Sequence, residues 1–492
     1  MKNKLILATT MGYFSHLLES ISCDSKFHFI ALASDKLAIS SLKIRNPTQF
    51  QALPEDSYFD SFNNETDETI FTKAKLLEQT LDTTLAQLIS YDRRFCFGKN
   101  VKFVQSYTPY RSYNFSVRYI LSISRLIDEC ILHYSPIKCI NFGSSNIADI
   151  LLELYSRHYG IQFTQIKSVK VGNYLNHFPS GLDYKFLNQK SFNDDDIKVA
   201  RRYILDSSKS KVKYEGSILI SSPPSFTSIL SNALLNLPRA FASSLKYQFS
   251  GLKDHHFISP ISYWYFTYIS QPLKWNLSKK RHFFHTLETL KAKKMKHYYI
   301  LFPLHHEPEV SIQVYGNDSL NQIEAIRKLS LATPHDVLIL LKEHPRSIGF
   351  RSNSFYSKLS KIPKVVLVDP YVPSTSILSI TDMTVVISSS IAVESACKQI
   401  PVLHFGEIFL QGISNNMIQK VTSIDSIRQA YSYLRYNYKF DYNLLLTSIA
   451  KYINGSLPVN LYSSLLSKSG RQSYEGSSEQ CLSNLQFLIE AS

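Results

Sequence analysis

Short apolar runs and stretches of helical period alternate through the first third of the chain. Strand-like runs fall at residues 4–10, 27–34, 102–105, 138–142 and 162–168, and helical spacing fills 68–91, 116–133 and 146–158. Strands alternating with helices imply a parallel sheet with helices on both faces. The alternation resumes near residue 298. Strands are predicted at 298–304, 337–341, 365–369, 385–388 and 402–405, joined by helices at 320–331, 355–359, from 377 onward and at 391–398. The continuous run Val337 to Leu341 has the length and bounded ends of a strand buried on both faces. The expected fold is therefore α/β, with two Rossmann-like domains facing a cleft and a helical C-terminal segment.

Residues 169–297 follow this pattern less closely. Asp194, Asp195 and Asp196 ahead of 198–205 predict a capped helix, and 217–221 a short strand before Pro223 and Pro224. The turn at 140–146 reads as a helix start, with Asn146 at the cap and Asp149 three residues on. A stretch from His255 to Arg281 is rich in aromatics and cations, among them Tyr263, Trp264, Tyr265, Trp275, Lys279 and Lys280. Packing between domains, with the rings buried and the cations solvated, is the preferred account. Interfacial contact with an anionic membrane is the other. The expected division is an N-terminal Rossmann-like domain at 1–235, an aromatic and basic connecting segment at 236–297, a C-terminal Rossmann-like domain at 298–440 and a helical, serine-rich tail at 441–492.

At 492 residues the chain exceeds what one hydrophobic core sustains. With 44% hydrophobic and 19% charged residues it is globular and not disordered. The formal charge of +15 suits nucleic acid, an anionic membrane or acidic substrates. Zinc-finger spacing, an RNP-like strand and a long basic helix are all missing from the sequence, so nucleic acid is not expected as a partner. Six scattered cysteines without a CxxC pair read as a reducing cytosol and exclude a dense disulfide framework. The apolar core Leu5 to Ala8 is too short for a signal peptide, and no window reaches the ~18 apolar residues of a span. The expected location is cytoplasmic, at the inner face of the cell membrane if the interfacial contact is made.

The chemistry concentrates in three places. In Phe302-Pro303-Leu304-His305-His306-Glu307-Pro308-Glu309, imidazoles and carboxylates follow an apolar strand on a loop stiffened by prolines. The strand at 337–341 ends in Lys342-Glu343-His344-Pro345, where alternation puts Lys342 and His344 on one face, a pairing that suits a phosphate. The strand near Val385 meets Ser388, Ser389 and Ser390 before a helix, with Glu394 four residues past Ser390. That is one residue too far for a capping box and leaves Glu394 a candidate for a ribose hydroxyl. Capping by Ser390 is the plainer account of the serines. His305, His306, Glu307, Glu309 and His404 are suitable metal ligands, but HExxH is absent and no metal is expected.

These segments, with Pro401-Val402-Leu403-His404-Phe405-Gly406 after them, resemble the bacterial capsule polysaccharide biosynthesis proteins, a family that includes capsular Kdo transferases. It is similar to sialyltransferases sharing a His-Pro element and a serine pair. The resemblance spans roughly residues 298–410. It implies a GT-B glycosyltransferase without a cofactor, in which a nucleotide sugar such as CMP-Kdo is the donor substrate and a capsule or surface glycan or glycolipid the acceptor. The N-terminal domain would take the acceptor and the C-terminal domain the nucleotide sugar. Lys342, His344, Ser388, Ser389, Ser390 and Glu394 would bind nucleotide and phosphate. Glu309 would be the catalytic carboxylate, with His305 and Glu307 beside it. The family reads His-x-Gln-Pro-Glu where this chain has Glu307, a potential charge in place of an amide. A polyol-phosphate transferase of teichoic-acid type and a non-catalytic glycan-binding capsule assembly protein are the alternatives.

Overall fold

In a computed structural model the chain is described from Lys4 to Ala491, apart from residues 11–17, 19–26, 34–49, 55–61, 97–111, 185–190, 210–224, 250–258, 282–283, 345–346, 460–476 and the single positions 63, 145, 173 and 411. The strands expected at 102–105 and 217–221, Pro345, and most of the serine-rich stretch lie outside the described residues.

Among the described residues, thirteen strands make two sheets. The first half supplies β1 (Lys4–Thr10), β2 (Phe27–Ala33), β3 (Phe50–Pro54), β4 (Lys138–Asn141), β5 (Gln162–Ser168) and β6 (Tyr174–Phe178). The second supplies β7 (Tyr298–Pro303), β8 (Val337–Lys342), β9 (Val365–Val368), β10 (Met383–Val386), β11 (Val402–His404) and β12 (Ile418–Lys420), and the C-terminal segment adds β13 (Leu457–Pro458). The sheet orders are β13-β6-β5-β4-β1-β2-β3 and β12-β11-β10-β7-β8-β9. The second sheet is parallel throughout. The first is parallel from β3 to β5 and antiparallel where β6 joins β5 and β13 joins β6.

Both halves thus follow the doubly wound order 3-2-1-4-5-6, which reverses direction between the first and fourth strands. The reversal opens a crevice at the carboxyl ends of those strands, where ligands bind in open α/β sheets. In the first half it lies between β1 and β4, and in the second between β7 and β10. The strands beside the second crevice are apolar because helices cover both faces. Ile300, Leu301, Phe302, Val385 and Val386 are all fully buried.

Several local expectations needed correction. The helix expected over 68–91 is two, Asp67–Leu81 and Leu85–Tyr91: Asp82 closes the first in the left-handed region (φ 49°) and Thr84 caps the second. The helix Phe226–Phe249 runs without a break through the expected boundary at 235. β6 is a strand despite the polar Asn176 and His177, because Asn176 is buried and donates to Tyr452 O (3.1 Å) and Asn454 O (3.0 Å). The C-terminal tail is part of the first half: β13 extends its sheet, and Leu485, Leu488 and Ile489 are buried with Ile6 and Ala8. The aromatic stretch divides. Trp275 is core, donating to Tyr371 OH (2.6 Å) and packed on Phe284 and Tyr356, whereas Tyr263 and Tyr265 are exposed.

Among the described residues the halves touch in several places. Helix Asp194–Ser208 packs against both Tyr442–Ile453 and Ile391–Cys397, and Lys398 Nζ donates to Ser208 O (2.8 Å). The segment after β7 meets the first half directly: Asn317 donates to Ser90 Oγ (2.8 Å), and the Tyr315 ring lies against Tyr184 (4.6 Å between centroids).

Candidate functional site

The octapeptide after β7 leaves the sheet at the second crevice, and its backbone is held from below. Gln322, the first residue of the helix Gln322–Ala332, accepts the His305 N–H at Oε1 (2.7 Å) and returns its Nε2–H to His305 O (3.2 Å) and Glu307 Oε1. The Glu307–Pro308 peptide bond is cis.

His305 is buried, and its Nε2 accepts the backbone N–H of Ser388 (3.3 Å). Burial, with Arg351 adding to it, lowers the imidazole pKa to about 3, so the ring is neutral and its proton sits on Nδ1. This contact crosses the crevice, joining the loop after β7 to the turn after β10. The Ser388 hydroxyl donates to Glu407 O (2.6 Å), and Gly406 N–H donates to Ile387 O (2.9 Å), which brings in the loop after β11. A side chain at Gly406 would collide with the Tyr315 carbonyl, so the family-like His-Phe-Gly run ends on glycine for close backbone approach.

The charges beneath form one buried cluster. Arg351 Nε donates to Glu343 Oε2 (2.9 Å), its Nη1 lies 3.6 Å from Glu307 Oε2, and its Nη2 donates to His305 O. Tyr356 OH also donates to Glu343 Oε2 (2.7 Å), and Glu343 Oε1 accepts the His344 N–H (2.7 Å). One guanidinium therefore fastens the loops after β7 and β8 together. Fully buried charge pairing of this kind is costly to leave half-made.

Each expected site residue has a definite place. Glu307 is buried against Gln322 and Arg351, so the charge that replaces the family's amide is matched by a cation. Lys342 is also buried; its ammonium donates to Pro370 O (2.6 Å) and Glu343 O (3.2 Å), and burial brings its pKa down to about 8 despite Glu343 and Asp369. It ties a strand end to a loop. His344 is half-buried, its ring 5.8 Å from that of His306, whose Nδ1 is 2.9 Å from Ser347 Oγ.

Ser389, and not Ser390, takes the helix-start role: its Oγ accepts the Ile391 N–H (3.3 Å), while Ser390 has helical dihedrals and makes no capping bond. Glu394 is half-buried on that helix, and burial, countered by Lys398, raises its pKa to about 7. Glu309 is half-buried at the start of the helix Val310–Gln313, accepts from Ser311 Oγ (3.0 Å), and faces the first half closely enough to add, after burial, to the rise in the Tyr184 hydroxyl pKa. Among the described residues no group of three His, Cys, Asp or Glu side chains is placed to hold a metal ion. Arg351, Gln322 and the His306–Ser347 contact were not anticipated from the sequence. Glu343 lies inside a recognised motif, but its partner is eight residues away in an irregular loop.

Residues 225–421 match the family model described as capsule polysaccharide biosynthesis protein. Over that span the chain is similar to the capsule polysaccharide biosynthesis proteins. The matched span contains the octapeptide, the Lys342–His344 strand end, the serine turn, Arg351 and Glu394. Among solved structures, the chain is similar to the Thermosulfurimonas dismutans KpsC beta Kdo 2,7 transferase (13% identity, 66% of this chain and 80% of that chain, TM-score 0.35). The beta Kdo 2,4 transferase of the same KpsC gives 12% identity over 64% and 79%, with a TM-score of 0.31. A UDP-GlcNAc 2-epimerase of Methanocaldococcus jannaschii gives 11% identity over 91% and 99%, with a TM-score of 0.28. No curated protein sequence matches.

Proposed function

We propose that the chain is a glycosyltransferase of capsule or surface-polysaccharide synthesis, moving a sugar from a nucleotide-sugar donor to a glycan or glycolipid acceptor. The observation that carries this reading is the His305–Ser388 hydrogen bond across the second crevice. It unites the family's motif loops at the point where an open α/β sheet takes a nucleotide. The half-buried His344 and His306 rings would meet the donor phosphate, with Ser389 and Ser390 beside them and the Glu394 carboxylate at the ribose. His305, Glu307 and Lys342 act as positioning residues, since each is buried and bonded to other parts of the protein. Glu309, at the border with the first half, would take the proton of the acceptor hydroxyl. The acceptor oxygen then bonds the anomeric carbon, and the sugar–phosphate bond breaks with its electron pair leaving on the nucleotide.

The KpsC proteins are named as Kdo transferases, so CMP-Kdo heads the list of donors to try. The setting is the inner face of the cell membrane, where peripheral contact would bring a lipid-linked acceptor to the cleft. Thermal stabilisation by a panel of nucleotide sugars, including CMP-Kdo and CMP-sialic acid, tests the reading. One donor should raise the melting temperature of both wild type and Glu309→Gln, and only wild type should turn it over. Failure of every donor to bind would overturn the proposal.

A further inference from the structure

The helix Phe226–Phe249 carries an apolar stripe on its outer side. Phe226, Leu230, Leu234, Leu237, Phe241 and Leu245 recur every three or four residues and are 38–69% exposed. At 3.6 residues per turn they fall within an arc of about 100° and extend about 28 Å along the axis. The orientation is fixed by the neighbouring edge of the helix, where Ile229, Ala233 and Ala240 are buried and Trp264 Nε1 donates to Ala233 O (2.7 Å). The helix Pro260–Tyr265 that supplies Trp264 exposes Tyr263 and Tyr265 on the same module. A continuous apolar face of this kind on a water-facing helix calls for a partner surface.

Charge decides which surface. Residues 225–287 contain seven Lys and Arg residues against a single acidic residue, Asp254, and the helix itself has no Asp or Glu. Pairing with a second copy would set two such cationic regions face to face, whereas an anionic surface is attracted. Among the described residues no helix is long and apolar enough to cross a membrane. A helix with one apolar face, flanking cations and interfacial tyrosines lies along the headgroup region instead.

We propose that the helix Phe226–Phe249 seats the chain on an anionic lipid bilayer, its apolar stripe at the headgroup–acyl boundary and the net positive charge of residues 225–287 drawing it to the lipid phosphates. This deepens the membrane contact named above by assigning it to a particular face, and its readout is binding, so it fails or stands separately from the transfer reaction.

Flotation of the full chain with vesicles of equal parts phosphatidylcholine and phosphatidylglycerol tests it. Wild type should float with these vesicles at low salt, be released at high salt, and stay behind with phosphatidylcholine alone. The triple variant Leu230→Ser, Leu234→Ser, Phe241→Ser should bind at least about tenfold more weakly. Leu234→Glu, a single change at a position 60% exposed, should weaken binding in the same direction and guards against misfolding of the triple variant. Wild type failing to float with anionic vesicles, or a folded variant floating as well as wild type, would overturn the proposal. So would a lipid-free dimer, seen by analytical ultracentrifugation, that the stripe substitutions dissolve.

Discussion

At the crevice of the first sheet, amides and hydroxyls knit the strand ends together. Gln165 Nε2 donates to Asn141 Oδ1 (2.9 Å) and Ser144 Oγ (2.8 Å), Ser144 in turn donates to Gly181 O (3.1 Å), and Asn146 caps the following helix through the Asp149 N–H (3.0 Å). At the crevice of the second sheet, built on the same strand order, the corresponding space holds a neutral histidine, a buried Glu–Arg–Glu cluster and a half-exposed histidine pair. One topology thus supports two kinds of strand end. Charge is buried at both: beside these amides Glu153 accepts from Ser180 Oγ (2.7 Å) and Gly181 N–H (2.9 Å), whereas at the second crevice one arginine between two glutamates holds two loops together and leaves imidazole and carboxylate groups at the mouth. Chemistry on this fold resides in the loops and not in the sheet. Under the proposed function the second crevice would take the charged donor, and the first would form a wall for the acceptor.

The sharpest way to break this contrast is Arg351→Met. It strands two carboxylates in a site where the arginine and both glutamates are about 98% enclosed, which should cost roughly 3–5 kcal/mol in urea unfolding and abolish turnover with it. A loss under ~1 kcal/mol would show that the cluster does not hold the loops.

Glu309→Gln separates chemistry from architecture in the same crevice. Its carboxylate touches Ser311 and lies outside the buried cluster, so unfolding should shift by no more than ~0.5 kcal/mol. Turnover should fall by about 10²–10⁴-fold with donor affinity nearly unchanged, as for a proton acceptor acting in the transition state. Equal losses in donor binding and turnover would move Glu309 to the donor site.

A smaller effect is expected at Glu394. With its pKa raised to about 7 by burial, the carboxyl is protonated below that pH and ionised above it. If the ionised form accepts from a ribose hydroxyl, the donor KM falls as pH rises from about 6 to about 8, by up to about tenfold, as the ionised fraction climbs from roughly a tenth to roughly nine tenths. Glu394→Gln, which cannot ionise, should flatten the profile. A KM that rises with pH in wild type would reverse the assignment.

The motif residues were legible because each sits within a few positions of a strand end, where apolar runs and prolines mark the exit of the chain. What joins them was not. His305 and Ser388 are 83 residues apart, Arg351 reaches His305 across 46, and neither pairing leaves a periodic trace. Two Rossmann-like sheets followed from the alternation of strands and helices. The return of β13 to the first sheet did not, since two paired residues carry no pattern. The exposed stripe on Phe226–Phe249 escaped for the opposite reason. Its apolar spacing resembles that of any amphipathic helix, and the structure alone distinguishes a face turned to solvent from one turned to a core.

The smallest expected effect tests the quieter side of the comparison. Gln165 is fully buried, donates to Asn141 and Ser144, and its Oε1 finds no partner among the described residues. Gln165→Met keeps similar bulk, removes two hydrogen bonds and also removes an amide oxygen that was already unsatisfied. Those terms oppose each other, so the net cost should be about 1 kcal/mol in urea unfolding, well below that of Arg351→Met. Donor affinity should be unchanged, because the substitution lies in the other sheet, and any kinetic effect should fall on the acceptor KM. A loss matching that of Arg351→Met would mean that both crevices depend equally on their buried polar groups. A change in donor KM alone would mean that the two halves exchange their assigned substrates.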